Sequence, residues 1–145
     1  MRIIVDADGC PVKEIIQDIA KKTGLDVLFV MNIAHEYSPE YGSVKFVDKS
    51  RERADIVIVN VIESGDLVVT QDYGLAAMVL AKKGHCMNQN GKVFNDMNIE
   101  LLLHRRHLNR EIRNRHKKYT KTNKRTKDDD LNFKESLIRM LKEVL

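Results

Sequence analysis

Two aspartates near the start of the chain are the residues whose type and spacing most directly suggest chemistry. Asp6 ends an apolar, β-branched stretch over residues 2–6, and Asp8 follows with one residue between them. Such a stretch predicts a buried strand, and ligands in α/β folds bind at the carboxyl ends of the strands. Two carboxylates this close repel each other, and a divalent cation bound through oxygen ligands relieves the repulsion. The pair therefore predicts a Mg²⁺ or Mn²⁺ site.

Two further carboxylates are expected at the same place. Asp72 follows a strand predicted at residues 67–70, and the carboxyl ends of parallel strands meet at one edge of a sheet. Asp55 stands near the start of a helix predicted at residues 52–63 and would approach from the next layer. Three or four carboxylates would bind one or two ions, and a metal-bound water is a good nucleophile for attack on a phosphodiester.

Each of these aspartates also has an ordinary structural explanation. Asp72 could cap the helix that follows it, and Asp8 could precede a tight turn at Gly9. Asp55 could pair with a neighbouring arginine at position 51 or 53. Capping, however, does not require three carboxylates to share one sheet edge, and this shared position favours the metal site.

Three other side chains are weaker candidates. Asn32 and Thr70 end predicted strands and could position a water or a phosphate. Cys10 lies close to a predicted helix N-terminus, where a thiolate is favoured. No convincing histidine partner accompanies this cysteine in the sequence, so a cysteine nucleophile is not favoured.

The apolar pattern predicts the elements that would position these residues. Strands are predicted at residues 2–6, 27–31, 44–47, 67–70, 86–87 and 92–94, and helices at residues 11–24, 52–63, 75–84, 98–112 and 128–145. Residues 54–62 are so rich in β-branched side chains that propensity alone favours a strand. A parallel sheet nevertheless requires a long crossover between residues 47 and 66, which favours a helix. The alternation predicts a three-layer α/β/α fold with a central, mostly parallel sheet.

The charges divide the chain into three segments. Residues 1–103 carry 11 Lys and Arg against 15 Asp and Glu, residues 104–127 carry 11 against one, and residues 128–145 carry three against five. We expect an α/β core, then a basic helix end and linker (residues 104–127, the basic segment), then a C-terminal helix packing on the core. The basic segment predicts a phosphate-rich partner such as nucleic acid. Its candidate phosphate contacts are Arg105, Arg106, Arg113, Arg115, Lys117 and Lys118.

Composition narrows the class of protein further. No stretch approaches the roughly 18 apolar residues of a membrane span, and the chain begins in a predicted strand without the pattern of a secretory signal. Cys10 and Cys86 lie far apart without metal-binding spacing, which fits a reducing cytoplasm. We therefore expect a cytoplasmic protein with no membrane partner. An oligomer is possible on this sequence.

Several motifs together resemble a known family. VDADGCPVK, SGDLVVTQDYGLA, LAKKG, NQNGKVFNDMNIELLLHRRH and KRTKDDDLNF are similar to the YaiI/YqxD family of small bacterial proteins, across nearly the whole chain. Members of that family look like distant relatives of PIN-domain nucleases. The resemblance implies a PIN-like α/β fold with an acidic metal pocket, a helix at residues 52–63, and Asp6, Asp8, Asp55 and Asp72 as the acidic site residues.

Three functions are compatible with these features. The leading hypothesis is a nuclease that uses Mg²⁺ or Mn²⁺ and acts on RNA more readily than on DNA. The enzymatic alternative is a phosphatase of the haloacid-dehalogenase type, in which Asp6 would attack phosphorus and Asp8 would act as acid and base. The chain is short for that fold with a substrate cap. The third possibility is an RNA-binding accessory protein without catalysis.

Overall fold

A mostly parallel sheet forms the centre of the fold. The computed structural model describes the backbone of residues 1–116 and 124–145 and the side chains of residues 1–112 and 124–145. The sheet has the order β3-β2-β1-β4-β5-β6, and only β6 runs antiparallel to its neighbour. In the described part of the chain the strands are β1 (Arg2–Asp6), β2 (Asp26–Asn32), β3 (Ser43–Val47), β4 (Leu67–Val69), β5 (His85–Met87) and β6 (Val93–Phe94).

Helices cover both faces of the sheet. They are α1 (Lys13–Thr23), α2 (Ala54–Val61), α3 (Tyr73–Ala81), α4 (Asp96–His116) and α5 (Lys127–Val144) in the described residues. On one face, α1 and α5 bury side chains such as Ile16 and Phe133 against Val5 of β1. On the other, α2, α3 and α4 bury side chains such as Ile58 against Ile4. The predicted three-layer α/β/α fold is therefore confirmed.

The helix predicted at residues 52–63 is present as α2, although its sequence is rich in β-branched residues. Val57, Ile58 and Ile62 are buried and pack with Ile4 and Val68 on one face of the sheet. Since β4 pairs parallel to β1, the chain must cross over this face between β3 and β4. Burial and topology together outweigh the weak helix propensity of the β-branched residues.

The helix ends differ by a few residues from the predicted ones, which is usual for boundaries. α1 begins at Lys13 rather than at Pro11 and ends at Thr23, and its C-cap Gly24 has the φ of 71° that suits a left-handed cap. α4 begins at Asp96, two residues before the expected start. α5 begins after Thr126, which forms a capping box with Asp129.

The C-terminal helix packs on the sheet through its apolar face, and polar contacts also bind it to the turn between β5 and β6. The Arg125 guanidinium donates to the Gln89 carbonyl and to Asn90 Oδ1, both at 2.7 Å. Ser136 Oγ donates to the carbonyl of Gly91. Among the described residues, no helix is long and apolar enough to cross a membrane.

Candidate functional site

The two central strands bring Asp6 and Thr70 side by side. β1 and β4 are parallel neighbours, with Val5 opposite Val69, so the residues that follow these positions meet at the carboxyl edge of the sheet. The Thr70 hydroxyl donates to Asp6 Oδ2 at 2.8 Å, and Thr70 Oγ1 in turn accepts from the Asp72 amide at 3.0 Å. Thr70 is buried and therefore fixes the orientation of the Asp6 carboxylate rather than facing solvent.

Asp6 is partly buried at the end of β1. Burial raises the pKa of its carboxyl group, and the Thr70 hydrogen bond acts in the opposite direction. The neighbouring carboxylates of Asp72, Asp8 and Asp55 raise this pKa further, because like charges disfavour ionisation. The other three predicted acidic residues therefore all act electrostatically on Asp6.

Asp8 lies beyond the end of β1, before a turn at Gly9 whose φ is 68°. Its Oδ1 accepts from the Asn32 amide at 3.1 Å and lies 3.4 Å from His35 Nε2. Asp6 and Asp8 line a small cavity of about 70 Å³, together with residues that include Cys10. Asp8 therefore ties the loop after β1 to the end of β2, and it is also one wall of an opening beside Asp6.

Asp72 is the N-cap of α3. Its Oδ1 accepts from the amides of Gly74 at 2.9 Å and Leu75 at 3.3 Å, and it lies 3.5 Å from Arg106 Nη1 on α4. The structural role considered for this residue is therefore present. Capping uses only Oδ1, and Asp72 also lines another, larger opening together with Asp6.

Asp55 occupies the first turn of α2. Its Oδ2 accepts from Arg53 Nη2 at 2.8 Å, and its Oδ1 contacts the Ile56 amide at 3.0 Å. The pairing with a neighbouring arginine is therefore present too. The Arg53 side chain is largely exposed, so an ion pair of this kind contributes little stability.

Two neighbouring openings combine these charges. Asp6, Asp55 and Asp72 line an opening of about 360 Å³, which we call the acidic cavity. A second opening of about 440 Å³, the basic groove, lies along α3 and α4. The charged and imidazole side chains that line the basic groove are Arg53, Asp55, Asp72, Arg106, His107 and Arg110. Arg53, Asp55 and Asp72 line both openings, so acidic and cationic groups adjoin at one place.

The carboxylate oxygens of these aspartates are donor atoms that Mg²⁺ and Mn²⁺ prefer. Within residues 1–112 and 124–145 there is no group of three or more His, Cys, Asp or Glu side chains drawn together closely enough to hold an ion. Mg²⁺, however, is commonly bound through one or two carboxylates and retains several waters. Asp6 and Asp72, both on the acidic cavity, are the residues that could hold such a hydrated ion.

A model of the uncharacterised YaiI/YqxD family matches residues 4–143. The chain belongs to this family. It is similar to a UPF0178 protein of Alkaliphilus oremlandii, with 54% identity over 99% of this chain and 92% of the relative. A UPF0178 protein of Ruminiclostridium cellulolyticum is 44% identical over 98% of this chain and 93% of its own length. A UPF0178 protein of Natranaerobius thermophilus is 43% identical over 100% of this chain and 96% of its own length. Comparison with solved structures finds no significant match.

The predicted phosphate contacts of this family member fall into two groups. Arg106 lines the basic groove, and Arg105 stands beside it on α4. Arg113 and Arg115 lie in the helical range of α4, but their side chains are outside the described residues, as are Lys117 and Lys118 entirely. Asn32 is not among the residues that line the acidic cavity, and its Oδ1 accepts from the Ala34 amide at 2.9 Å.

Asp66 is a buried carboxylate that lies outside the predicted site. Asp66 is 3% exposed and pairs with Arg2 at 2.9 Å, at the opposite end of β4 from Thr70. Burial acts to raise its pKa, but hydrogen bonds from the Glu63 amide and from Arg2 hold the pKa below its ordinary value. This carboxylate therefore stabilises the sheet rather than the candidate site.

Two cationic residues of the basic groove, Arg53 and Arg110, were not predicted as site residues. Arg53 was weighed only as an ion-pair partner of Asp55, and Arg110 only within the charge count of the basic segment. For Arg110 the relevant signal is its helical position, since it is four residues from Arg106 and shares one face of α4 with it. Arg53 is the N-cap of α2, and no local pattern marks it as part of the groove. Cys10 is buried, and burial raises the pKa of its thiol, so the thiolate form is disfavoured.

Proposed function

We propose that this protein is a divalent-metal-dependent phosphodiesterase that cuts nucleic acid, RNA in preference to DNA. One observation carries the proposal: the acidic cavity and the basic groove adjoin and share Arg53, Asp55 and Asp72. A phosphodiester requires cationic groups to hold its charge, and cleavage at neutral pH requires an activated water. The guanidinium groups can hold the phosphate charge, and the carboxylates can bind the metal ion that activates the water.

The residues have separate roles in metal binding, carboxylate orientation and phosphate binding. Asp6 and Asp72 would hold Mg²⁺ or Mn²⁺, and Asp55 and Asp8 contribute negative charge nearby. When bound, the ion supplies a water of lowered pKa and neutralises charge on the phosphate. The Thr70 hydroxyl holds the Asp6 carboxylate in one orientation. Arg106 and Arg110, four residues apart on α4, would hold phosphates of the strand along the basic groove.

The basic segment supports a long, charged substrate rather than a small phosphate ester. α4 carries the chain from the basic groove at Arg106 directly into residues 107–116, and the basic segment holds 11 Lys and Arg against one Glu. Cationic residues in series bind a nucleic-acid backbone by releasing its counterions. The resemblance to PIN-like nucleases supports the same substrate. We place the activity in the cytoplasm, because Cys10 and Cys86 are buried free thiols that suit a reducing compartment.

The test is cleavage of end-labelled single-stranded RNA and DNA of the same sequence in Mg²⁺, Mn²⁺ or EDTA. We expect products from RNA only when the metal is present, and at least a hundredfold loss of rate in Asp6→Asn and Asp72→Asn. Asp18→Asn, an exposed aspartate of α1, is the matched control and should leave the rate unchanged. Turnover of a small phosphomonoester with a covalent phosphate on Asp6, and no cleavage of RNA, would instead identify a phosphatase.

A second function, RNA binding without catalysis, is favoured by one specific observation. Asp8, Asp55 and Asp72 each accept hydrogen bonds from the protein itself, and Asp55 and Asp72 also lie close to arginines. These contacts compete with a metal ion for the same oxygens. RNA affinity that is equal in EDTA and Mn²⁺, without cleavage in any metal, would support this function and contradict the phosphodiesterase.

A further inference from the structure

Another opening, of about 310 Å³, lies beside the basic groove and is lined by an aromatic side chain. Its walls come from the start of α3 and from α4. The lining residues are Tyr73, Leu102, Arg105, Arg106 and Asn109. We call it the Tyr73 pocket. It combines an apolar wall with two guanidinium groups and an amide.

The orientation of the aromatic wall is fixed by packing. The Tyr73 ring meets the ring of Phe94 edge to face, with centroids 5.7 Å apart and an angle of 70° between the planes. Phe94 is buried, and Tyr73 is partly buried against the same core cluster. A ring held in this way loses little conformational freedom when a ligand packs on it, which favours binding of a flat group.

The chemistry of the walls matches a nucleotide better than a phosphate alone. Tyr73 offers apolar surface to a flat aromatic group, whereas Leu102 is almost fully buried. Asn109 offers both a hydrogen-bond donor and an acceptor to a polar ring edge. Arg105 and Arg106 can stack on a base or pair with a phosphate. An inorganic anion would make no contact with the apolar wall, and an apolar ligand would make no use of the two guanidinium groups.

Position links this pocket to the candidate site. Tyr73 follows Asp72 directly, so their Cα atoms are about 3.8 Å apart. Arg106 lines the Tyr73 pocket and also the basic groove, where its Nη1 lies 3.5 Å from Asp72 Oδ1. A base in the Tyr73 pocket would therefore bring the phosphate of the same nucleotide towards Arg106 and the acidic cavity.

We propose that the Tyr73 pocket binds one nucleobase of a single-stranded substrate. The inference rests on the proposed function, since it concerns the strand that the acidic cavity would cut. Its consequence is that binding depends on the bases as well as on the phosphates. Stacking on aromatic side chains tolerates any base, so no strong sequence preference is expected from Tyr73 itself.

The experiment compares two ligands of equal charge, a short single-stranded RNA and the same ribose-phosphate strand without bases, by fluorescence anisotropy in EDTA. Loss of one stacked base costs about 1–3 kcal/mol, or roughly 5- to 150-fold in affinity. The wild type should therefore bind the base-bearing strand at least fivefold more tightly. Tyr73→Leu should remove most of this preference and leave affinity for the abasic strand unchanged.

A second variant guards against loss of folding, because Tyr73 contributes to the core. Asn109 is exposed on α4, so Asn109→Leu replaces the amide that would bond a polar ring edge with a bulkier apolar side chain, without disturbing buried residues, and it should also remove the preference. The control is Asn60→Leu, the same change at an exposed position of α2, which should retain the preference.

The outcomes separate this inference from the proposed function. Equal affinity for the two strands in the wild type, or a preference that survives Asn109→Leu, overturns the nucleobase pocket even where metal-dependent cleavage is observed. A preference that both pocket variants remove, in a protein that cleaves nothing in any metal, supports the pocket and overturns only the phosphodiesterase. No affinity for either strand overturns both.

Discussion

The Thr70 hydroxyl donates to Asp6 Oδ2 at 2.8 Å and so joins the ends of the two central strands of the sheet. This bond orients a carboxylate whose pKa is raised by burial and by the neighbouring carboxylates of Asp72, Asp8 and Asp55. The fold thus holds a partly buried acid at a place where its charge is disfavoured. A protein retains such an arrangement at the cost of stability, and a cation bound there would offset that cost.

The first prediction concerns the stability of the metal-free protein. The raised pKa of Asp6 means that the folded state binds a proton more readily than the unfolded chain, so stability falls as pH rises through the folded pKa. Asp6→Asn removes this effect, and its side-chain oxygen can still accept from Thr70. We expect Asp6→Asn to raise the melting temperature in EDTA at pH 7 by a few degrees. Thermal unfolding of both proteins at several pH values measures this difference in melting temperature.

The pH dependence supplies the check on this prediction. Below about pH 4, near the ordinary pKa of an aspartate, Asp6 is protonated in both states, and the gain from Asp6→Asn should disappear. The exposed Asp18→Asn should show no such gain at either pH. A lower melting temperature for Asp6→Asn at pH 7 would mean that the Asp6 charge stabilises the fold, contrary to the argument from burial.

The second prediction concerns metal binding. A ligand at about 100 times its dissociation constant stabilises the folded state by about 2.7 kcal/mol, and each kcal/mol shifts the melting temperature of a domain of this size by roughly 2–4 °C. Mn²⁺ at such a concentration should therefore raise the melting temperature of the wild type by roughly 5–10 °C. The shift should be much smaller in Asp6→Asn and Asp72→Asn.

Asp72→Asn separates metal binding from helix capping. Asparagine caps a helix about as well as aspartate, whereas alanine costs about 1 kcal/mol. Asp72→Asn should therefore lose the Mn²⁺ response at little cost in EDTA, and Asp72→Ala should lose both the response and stability. If Asp72→Asn kept the full Mn²⁺ shift, Asp72 would be only the N-cap of α3, and the proposed ligand set would be wrong.

The sequence predicts the backbone of this site better than its side-chain contacts. Strand periodicity and the parallel arrangement place Asp6 and Asp72 at one edge, because both follow strands whose register is set by buried residues. Even α2 could be predicted. Its β-branched residues favour a strand, but the parallel sheet requires a crossover helix between β3 and β4. What could not be predicted is which oxygen each carboxylate uses, because those contacts depend on residues distant in the chain, such as Arg106 beside Asp72.

The same limit explains the residues that were missed. Arg2 and Asp66 are 64 positions apart, and only the pairing of β1 with β4 brings them together. The basic segment holds a single aromatic residue, Tyr119, and no local pattern marks Tyr73 as part of a site. Tyr73 belongs to α3 and reaches Arg105 only because α3 packs against α4. Long-range packing, and not local pattern, decides such contacts.

The third prediction concerns the ion pair of Arg2 and Asp66. The folded pKa of Asp66 is lowered, so its contribution to stability is present above the unfolded pKa of about 4 and is lost as pH falls through the folded value. Arg2→Met removes hydrogen bonds to a buried carboxylate and should cost about 1.5–3 kcal/mol at pH 7. Urea unfolding at pH 7 and below pH 3 measures it, and the cost should shrink at the lower pH.

Arg139→Met is the control for this change, because Arg139 is exposed on α5. It should alter the free energy of unfolding by less than about 0.5 kcal/mol. A cost for Arg2→Met that stayed constant down to low pH would show that packing of the arginine side chain, and not its pairing with the Asp66 carboxylate, stabilises this end of the sheet.

The fourth prediction concerns the salt dependence of RNA binding. On a single strand the logarithm of affinity falls with the logarithm of salt concentration by about 0.7 for each neutralised phosphate. If four cations of the basic segment each contact a phosphate, replacing them with glutamine should reduce this slope by about 2.8 and weaken binding at low salt. The four substitutions are Arg113→Gln, Arg115→Gln, Lys117→Gln and Lys118→Gln.

A matched variant distinguishes local contacts from net charge. Four exposed lysines of α1 and α5 can be replaced with glutamine to give the same net charge. They are Lys21, Lys22, Lys134 and Lys142. This control should keep most of the salt slope, since those lysines lie outside the basic segment. An equal reduction of the salt slope in both variants would show that overall charge governs affinity. Cleavage at saturating RNA should persist in the basic-segment variant, because its substitutions leave Asp6 and Asp72 unchanged.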